Sequence, residues 1–195
     1  MNRRRADRVS IQLLCCCRTC PDVEMYPGRY MLDITLRTSV WQQYGAAIDM
    51  LEDAIALCPD YLWTAVLWND TDDVRYGQFW FVAFHTLCWL DIFLTGSEEG
   101  FAPPPPFTRT ALPEQPYTKE QIRVYVSHCR SKCRATIEAL TEEQAHQRCV
   151  FGWMEPSFLE LQLYSMRHVQ EHAAQLRMFL GQQAGKSTRW ISQAQ

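Results

Sequence analysis

Sixteen residues in the middle of the chain, Phe79 to Leu94, hold only three clearly polar members: His85, Thr86 and Asp91. The run predicts a helix over about Gln78 to Leu94, ended by Gly96. It is too short, and too polar at its centre, to span a membrane. A helix that is apolar nearly all round must be buried on several sides. Three partner helices leave part of such a surface uncovered, so either a loop or a second subunit is expected to pack on it. His85 lies inside this segment, and a polar ring in apolar surroundings requires a hydrogen-bond partner or a metal.

The flanking segments carry helical periodicity. Tyr44, Ala47, Ile48, Leu51 and Ile55 recur at three- and four-residue steps, with Asp49, Glu52 and Asp53 on the other face. They predict a first helix over about Val40 to Leu57, capped by Thr38 or Ser39 and stopped before Pro59. Tyr61 to Gly77 reads as connector, with Asn69-Asp70-Thr71-Asp72-Asp73 as turn material. Thr118-Lys119-Glu120-Gln121 is a capping box opening a third helix that runs to about Leu140. Ser157-Phe158-Leu159-Glu160 opens a fourth, to about Leu180, with Gly181 beyond.

Between the second and third helices, residues 97–117 contain Pro103, Pro104, Pro105, Pro106, Pro113 and Pro116. A proline run is stiff and extended. At about 3.3 Å per residue it can cross the whole length of a bundle of such helices, making helices two and three parallel neighbours. No internal repeat and no strand-like stretch is present. The expected fold is all-α, a four-helix bundle with one long crossover. The expected organisation is an N-terminal extension over 1–36, the bundle over 37–182, and a polar, frayed tail over 183–195.

Composition narrows the class of protein. A chain of 195 residues, 47% hydrophobic and 12% aromatic, is large enough for one substantial core and is not of disordered type. The formal net charge is −3, and no basic stripe runs through the helical region, so no nucleic-acid partner is expected. Arg3, Arg4, Arg5 and Arg8 precede a short apolar run, Ile11 to Cys17, which mimics a secretory leader but lacks a small-residue cleavage site. Cys15, Cys16, Cys17 and Cys20 crowd there, with a single C-x-x-C spacing that falls short of a metal knuckle. The segment reads as a poorly ordered extension, and Met25 and Met31 are alternative starts. Nine cysteines without framework spacing fit reduced thiols and a cytoplasmic location.

His168 and His172 lie four residues apart in a stretch free of Gly and Pro, Met166-Arg167-His168-Val169-Gln170-Glu171-His172. That spacing stacks both rings on one helix face, where both can reach a single divalent ion. With His85 they form a candidate three-histidine metal site, the donor number of a catalytic centre with open positions. Weaker candidates accompany it. His128, Cys129 and Cys133 share the third helix, and exposure without a role is the simpler reading. Cys88 lies one turn from His85 and reads as a small buried hydrophobe. Glu171 points about 100° away from the histidine pair. Asp91 reads as a helix–helix hydrogen-bond partner, His146 as solvated, and Trp153 and Tyr164 as core or pocket lining.

These residues resemble the DinB-like (DinB/YfiT) metalloenzyme superfamily. The resemblance covers about Trp41 to Gln182. It is carried by Trp41-Gln42-Gln43-Tyr44, by Phe79-Trp80-Phe81-Val82-Ala83-Phe84-His85-Thr86 and by Arg167-His168-Val169-Gln170-Glu171-His172. It implies an up-down-down-up four-helix bundle and a divalent ion, zinc or nickel most of all, on His85, His168 and His172. Members resemble S-transferases that use a low-molecular-weight thiol, or hydrolases, acting on small-molecule substrates; many form homodimers. Three neutral histidines leave an ion its full double charge, able to acidify a water or a thiol, so one site supports either reaction. The alternative is a bundle that binds a metal or ligand without turnover. Histidine ligation alone does not select the metal.

Overall fold

The computed structural model describes residues 31–109 and 112–195. The leader-like run, the N-terminal cysteines and the alternative start at Met25 lie outside the described residues. Among the described residues the chain is all-α: α1 Ile34–Leu57, α2 Phe79–Thr95, α3 Lys119–Glu138, α4 Glu142–His146 and α5 Phe158–Ala184, with two short 3-10 turns and no strand. None of the helices is long and apolar enough to cross a membrane.

α1 begins earlier than expected, ahead of the boundary placed at residue 37. Asp33 is its cap, accepting hydrogen bonds from the backbone N–H groups of Thr35 and Leu36 at 2.9 and 3.1 Å. Leu32 N–H donates to the Leu140 carbonyl at 3.1 Å, and Arg37 donates to the Glu138 carbonyl, so this start is tied to the end of α3. The capping boxes at Thr118 and Ser157 open α3 and α5 as predicted, although at Ser157 only the serine side accepts. A third box, Thr141 with Gln144, nucleates the short α4. α5 runs past the expected stop: Gly181 stays helical and Gly185, at φ +61°, takes the left-handed terminal position.

α1 packs on α3 and α5, and α2 packs on the same two helices. Tyr44 Oη donates to Ser165 Oγ at 2.5 Å and Met50 lies against Gln170, joining α1 to α5. Asp49 accepts from Arg130 at 2.7 Å and Lys119 Nζ donates to the Cys58 carbonyl at 2.7 Å, joining α1 to α3. Between α2 and α3, buried Asp91 accepts from Tyr125 Oη at 3.0 Å and from Lys132 Nζ at 2.6 Å. That is the helix–helix role expected of Asp91. Gln162 on α5 donates to the Phe93 carbonyl of α2 at 2.8 Å.

The cover required by α2 comes partly from the 97–117 segment. Phe107 stacks on Tyr125 at 4.5 Å and on Phe84 at 5.8 Å, and Tyr117 lies 4.9 Å from Phe84. Trp80 is fully buried; Phe81 and Trp89 are half-buried. Full burial of a large apolar side chain stabilises the fold by about 1.5–3 kcal/mol relative to exposure.

The 58–78 connector positions the start of α2. The first two N–H groups of α2, Phe79 and Trp80, donate to the carbonyls of Ala65 and Trp63, both at 3.0 Å, in place of a side-chain cap. Leu67 N–H donates to the Gly77 carbonyl at 2.8 Å. The chains approach so closely there that a β-carbon on residue 77 would collide with the Trp68 carbonyl oxygen.

The C-terminal tail is a correction. It was expected to fray, yet it lies along α1: Ala194 N–H donates to the Gln42 carbonyl at 3.0 Å, and Gln195 N–H donates to Asp49 Oδ2 at 2.9 Å. Ile191 is buried in the core while its neighbour Trp190 is exposed, and a single buried side chain in a segment without regular structure carries no periodicity for a sequence reading to detect.

Candidate metal centre

His85 sits on the face of α2 that meets α5, where His168 and His172 stack one turn apart. The three rings converge through their Nε2 atoms. His168 Nε2 lies 3.3 Å from His85 Nε2 and 3.1 Å from His172 Nε2, and all three donors fall within 4.8 Å of one another. Among the described residues this is the one group of three or more such donors able to hold a metal ion.

The donor chemistry fits a cation. Nitrogens bound at 2.0–2.1 Å in a tetrahedral set stand about 3.3 Å apart, close to the two measured separations. As a hydrogen-bonded trio the cluster is poorly satisfied. His172 Nδ1 faces Gln175 Oε1 at 2.7 Å, a contact that requires the proton on Nδ1 and leaves Nε2 with its lone pair. A proton on His168 Nε2 can serve only one of its two Nε2 neighbours. A cation serves all three lone pairs at once.

Electrostatics keeps the rings neutral. Burial, with the neighbouring His172 ring second, pushes His85 down to about 4. Burial, then repulsion from His172 and His85, pushes His168 down to about 3. Burial also lowers His172, opposed by the hydrogen bond to Gln175 and by the Glu171 carboxylate. Neutral imidazole is the ligand form, so all three are ready for a metal at neutral pH. Among the described residues His168 Nδ1 is buried without a hydrogen-bond partner.

The surroundings are aromatic. Phe81 lies 6.2 Å from His85, Trp89 6.4 Å from His85, and Phe93 6.3 Å from His168, all centroid to centroid. Two clefts reach the site. One, of about 310 Å³, is lined by Trp68, Asp70, Tyr76, Phe81 and Val82 together with His85 and His172. The other, of about 210 Å³, lies across Phe81 and includes Cys88, Trp89, Thr108 and Arg109.

Other candidates fall elsewhere. His128 is partly exposed, its Nε2 3.7 Å from Asp91 Oδ2, while Cys129 and Cys133 are buried. Cys88 is buried in the core yet borders the smaller cleft. Glu171 lies on the groove between α1 and α5 with Trp190. His146 is exposed, Nδ1 2.7 Å from the Glu142 carbonyl. Trp153 is 55% exposed and packs edge-on to Trp89 at 5.3 Å; Tyr164 packs edge-on to Phe93 at 5.5 Å. Sequence reasoning missed Gln175. Its signal was present, since a residue three after His172 shares that helix face.

No family model, no curated protein and no solved structure matches the chain.

Proposed function

We propose that the chain is a divalent-metal-dependent enzyme of the DinB-like type, with His85, His168 and His172 as metal ligands. The observation that carries this reading is the convergence of three neutral Nε2 donors, one oriented by Gln175, with His85 and His172 lining an aromatic cleft. The fold assigned with it is the up-down-down-up bundle, residues 97–117 being the crossover. Residue pairings support it. Contacts advance in the same sense along α1 and α5 (Tyr44 with Ser165, Met50 with Gln170) and in opposite senses along α1 and α3 (Asp49 with Arg130, Cys58 with Lys119). Along α2 and α3, Leu87 meets Cys129 and Asp91 meets Lys132, a parallel pair.

The chemistry such an ion supplies is Lewis acidity, which acidifies a water or a thiol in the cleft. Among the described residues the cysteines offer no competing nucleophile. Burial pushes the Cys88 thiol up to about 11 and the Cys58 thiol up to about 12, and raises Cys129, Cys133 and Cys149 as well. In this reading the attacking group comes from a small molecule, a low-molecular-weight thiol or water, as in an S-transferase or a related hydrolase. The histidines hold the centre, Gln175 keeps the proton off His172 Nε2, and Phe81, Trp89 and Phe93 thin the water around them. Zinc or nickel is the assigned ion.

The test is metal analysis of the purified chain followed by assay of a thiol with a panel of electrophiles, before and after chelation. One ion per chain and activity that vanishes and returns with it support the enzyme. Stoichiometric metal with no turnover on any pair favours a binding bundle.

A further inference from the structure

Two clefts share a wall made of Tyr76, Phe81 and His85, and their charges differ. Arg109 is the charged residue of the smaller one. It is paired with Glu98 and lies over the Trp89 ring at 5.2 Å. Asp70 is the charged residue of the larger one, and among the described residues no lysine or arginine lines it. Arg75, next in sequence to Tyr76, is bound to Asp73 at 2.6 Å, which neutralises its charge nearby.

The rest of the larger cleft is aromatic. Trp68 and Tyr76 are each more than a third exposed, and Tyr76 meets Phe81 edge-on at 4.9 Å. Trp68 is held in place by the close approach of its carbonyl to Gly77 and by the Leu67 to Gly77 hydrogen bond. Asp70 Oδ1 accepts one hydrogen bond, from Asp72 N–H at 3.0 Å. Aromatic faces carry negative electrostatic potential, and a carboxylate beside them adds a full charge. An anion would be repelled there. A neutral apolar group would desolvate Asp70 without compensation. A cation sheathed in alkyl groups satisfies both the rings and the carboxylate.

We propose that the larger cleft takes an alkylated ammonium group of the substrate, held among Trp68, Tyr76, Phe81 and Asp70, with the reacting end directed at His85 and His172. This rests on the reading of the histidine cluster as the reacting centre. The ammonium sits at the Asp70 end, where the carboxylate shields it from a divalent ion on the histidines.

The test is calorimetric titration of the full chain, zinc-free and zinc-loaded, with choline and with its neutral isostere 3,3-dimethyl-1-butanol. Choline is expected to bind about tenfold or more tighter than the alcohol. Asp70→Asn, Trp68→Ala and the milder Trp68→Phe are expected to weaken choline and leave zinc stoichiometry unchanged, while Arg109→Gln leaves choline affinity as in wild type. Choline that fails to bind, that binds no better than the alcohol, or that ignores both the Asp70 and Trp68 variants overturns the proposal. Zinc stoichiometry is read separately, so a chain that binds choline without zinc loses the metal reading alone, and one that binds zinc without choline loses the cation site alone.

Discussion

Gln175 Oε1 stands 2.7 Å from His172 Nδ1, and this contact decides which nitrogen of His172 faces the other two histidines as a lone pair. A side-chain carbonyl holding the far nitrogen of a ligand both orients the ring and raises its basicity. Gln175→Ala is therefore expected to weaken zinc binding by about 10- to 100-fold with the helix content unchanged. Gln175→Glu, which restores an acceptor, is expected to recover binding. Competition with a chelator measures both. Wild-type affinity in the alanine variant would remove the orienting role.

His168 is the central ring, within 3.3 Å of both partners. His168→Ala should take metal content from one ion per chain to none and abolish metal-dependent activity. Alanine is a strong helix former, so far-ultraviolet circular dichroism should not change. Full activity in the metal-free variant would refute the catalytic assignment.

The histidines also predict a pH dependence of the metal-free protein. In the unfolded chain each titrates near 6.5. In the fold His85 and His168 are held down to about 4 and about 3, and His172 is lowered too. Between these limits the unfolded chain binds more protons than the native one, so stability rises with pH. The contribution is complete above about 6.5 and is lost as pH falls toward about 3. Urea midpoints of the metal-free chain should decline across that window, and His168→Ala should flatten the decline.

Asp91 joins α2 to α3 through Tyr125 and Lys132 with only 2% of its surface exposed. Asp91→Ala leaves the buried Tyr125 hydroxyl without its acceptor and takes the carboxylate from the Lys132 ammonium, which keeps the residue 91 backbone carbonyl at 3.0 Å. A loss of about 1–3 kcal/mol is expected for each buried group orphaned. Lys132 is 28% exposed and can turn to solvent, so the Tyr125 hydroxyl sets most of the effect. Chemical denaturation of Asp91→Ala against Tyr125→Phe separates the two.

What the sequence revealed, and what it hid, follows from the range of the signals. His168 and His172 were legible because four-residue spacing fixes a shared face whatever surrounds the helix. The partnership with His85 needed tertiary packing, and only its odd polarity in an apolar run marked it. α4 was announced by Thr141 and Gln144 in the same box pattern that marks Thr118, and was overlooked because five residues carry no periodicity. The early start of α1 at Asp33 competed with equally good caps at Thr38 and Ser39. The tail was unreadable because its order comes from Ile191 and from backbone N–H groups donating to the Gln42 carbonyl and the Asp49 carboxylate, none of them local.

The five described cysteines are all free and all buried, one at the end of α1, one in α2, two in α3 and one just after α4. Apart from Cys88, which borders the smaller cleft, a thiol reagent reaches them only when the surrounding structure opens, so alkylation rate becomes a clock of local unfolding. Mass spectrometry resolves each peptide. Cys58 and Cys149, at element ends, should label by partial opening, while Cys129 and Cys133 should wait for global unfolding. The core thus carries its own set of reporters, and adding zinc should first slow Cys88, on the helix that bears His85.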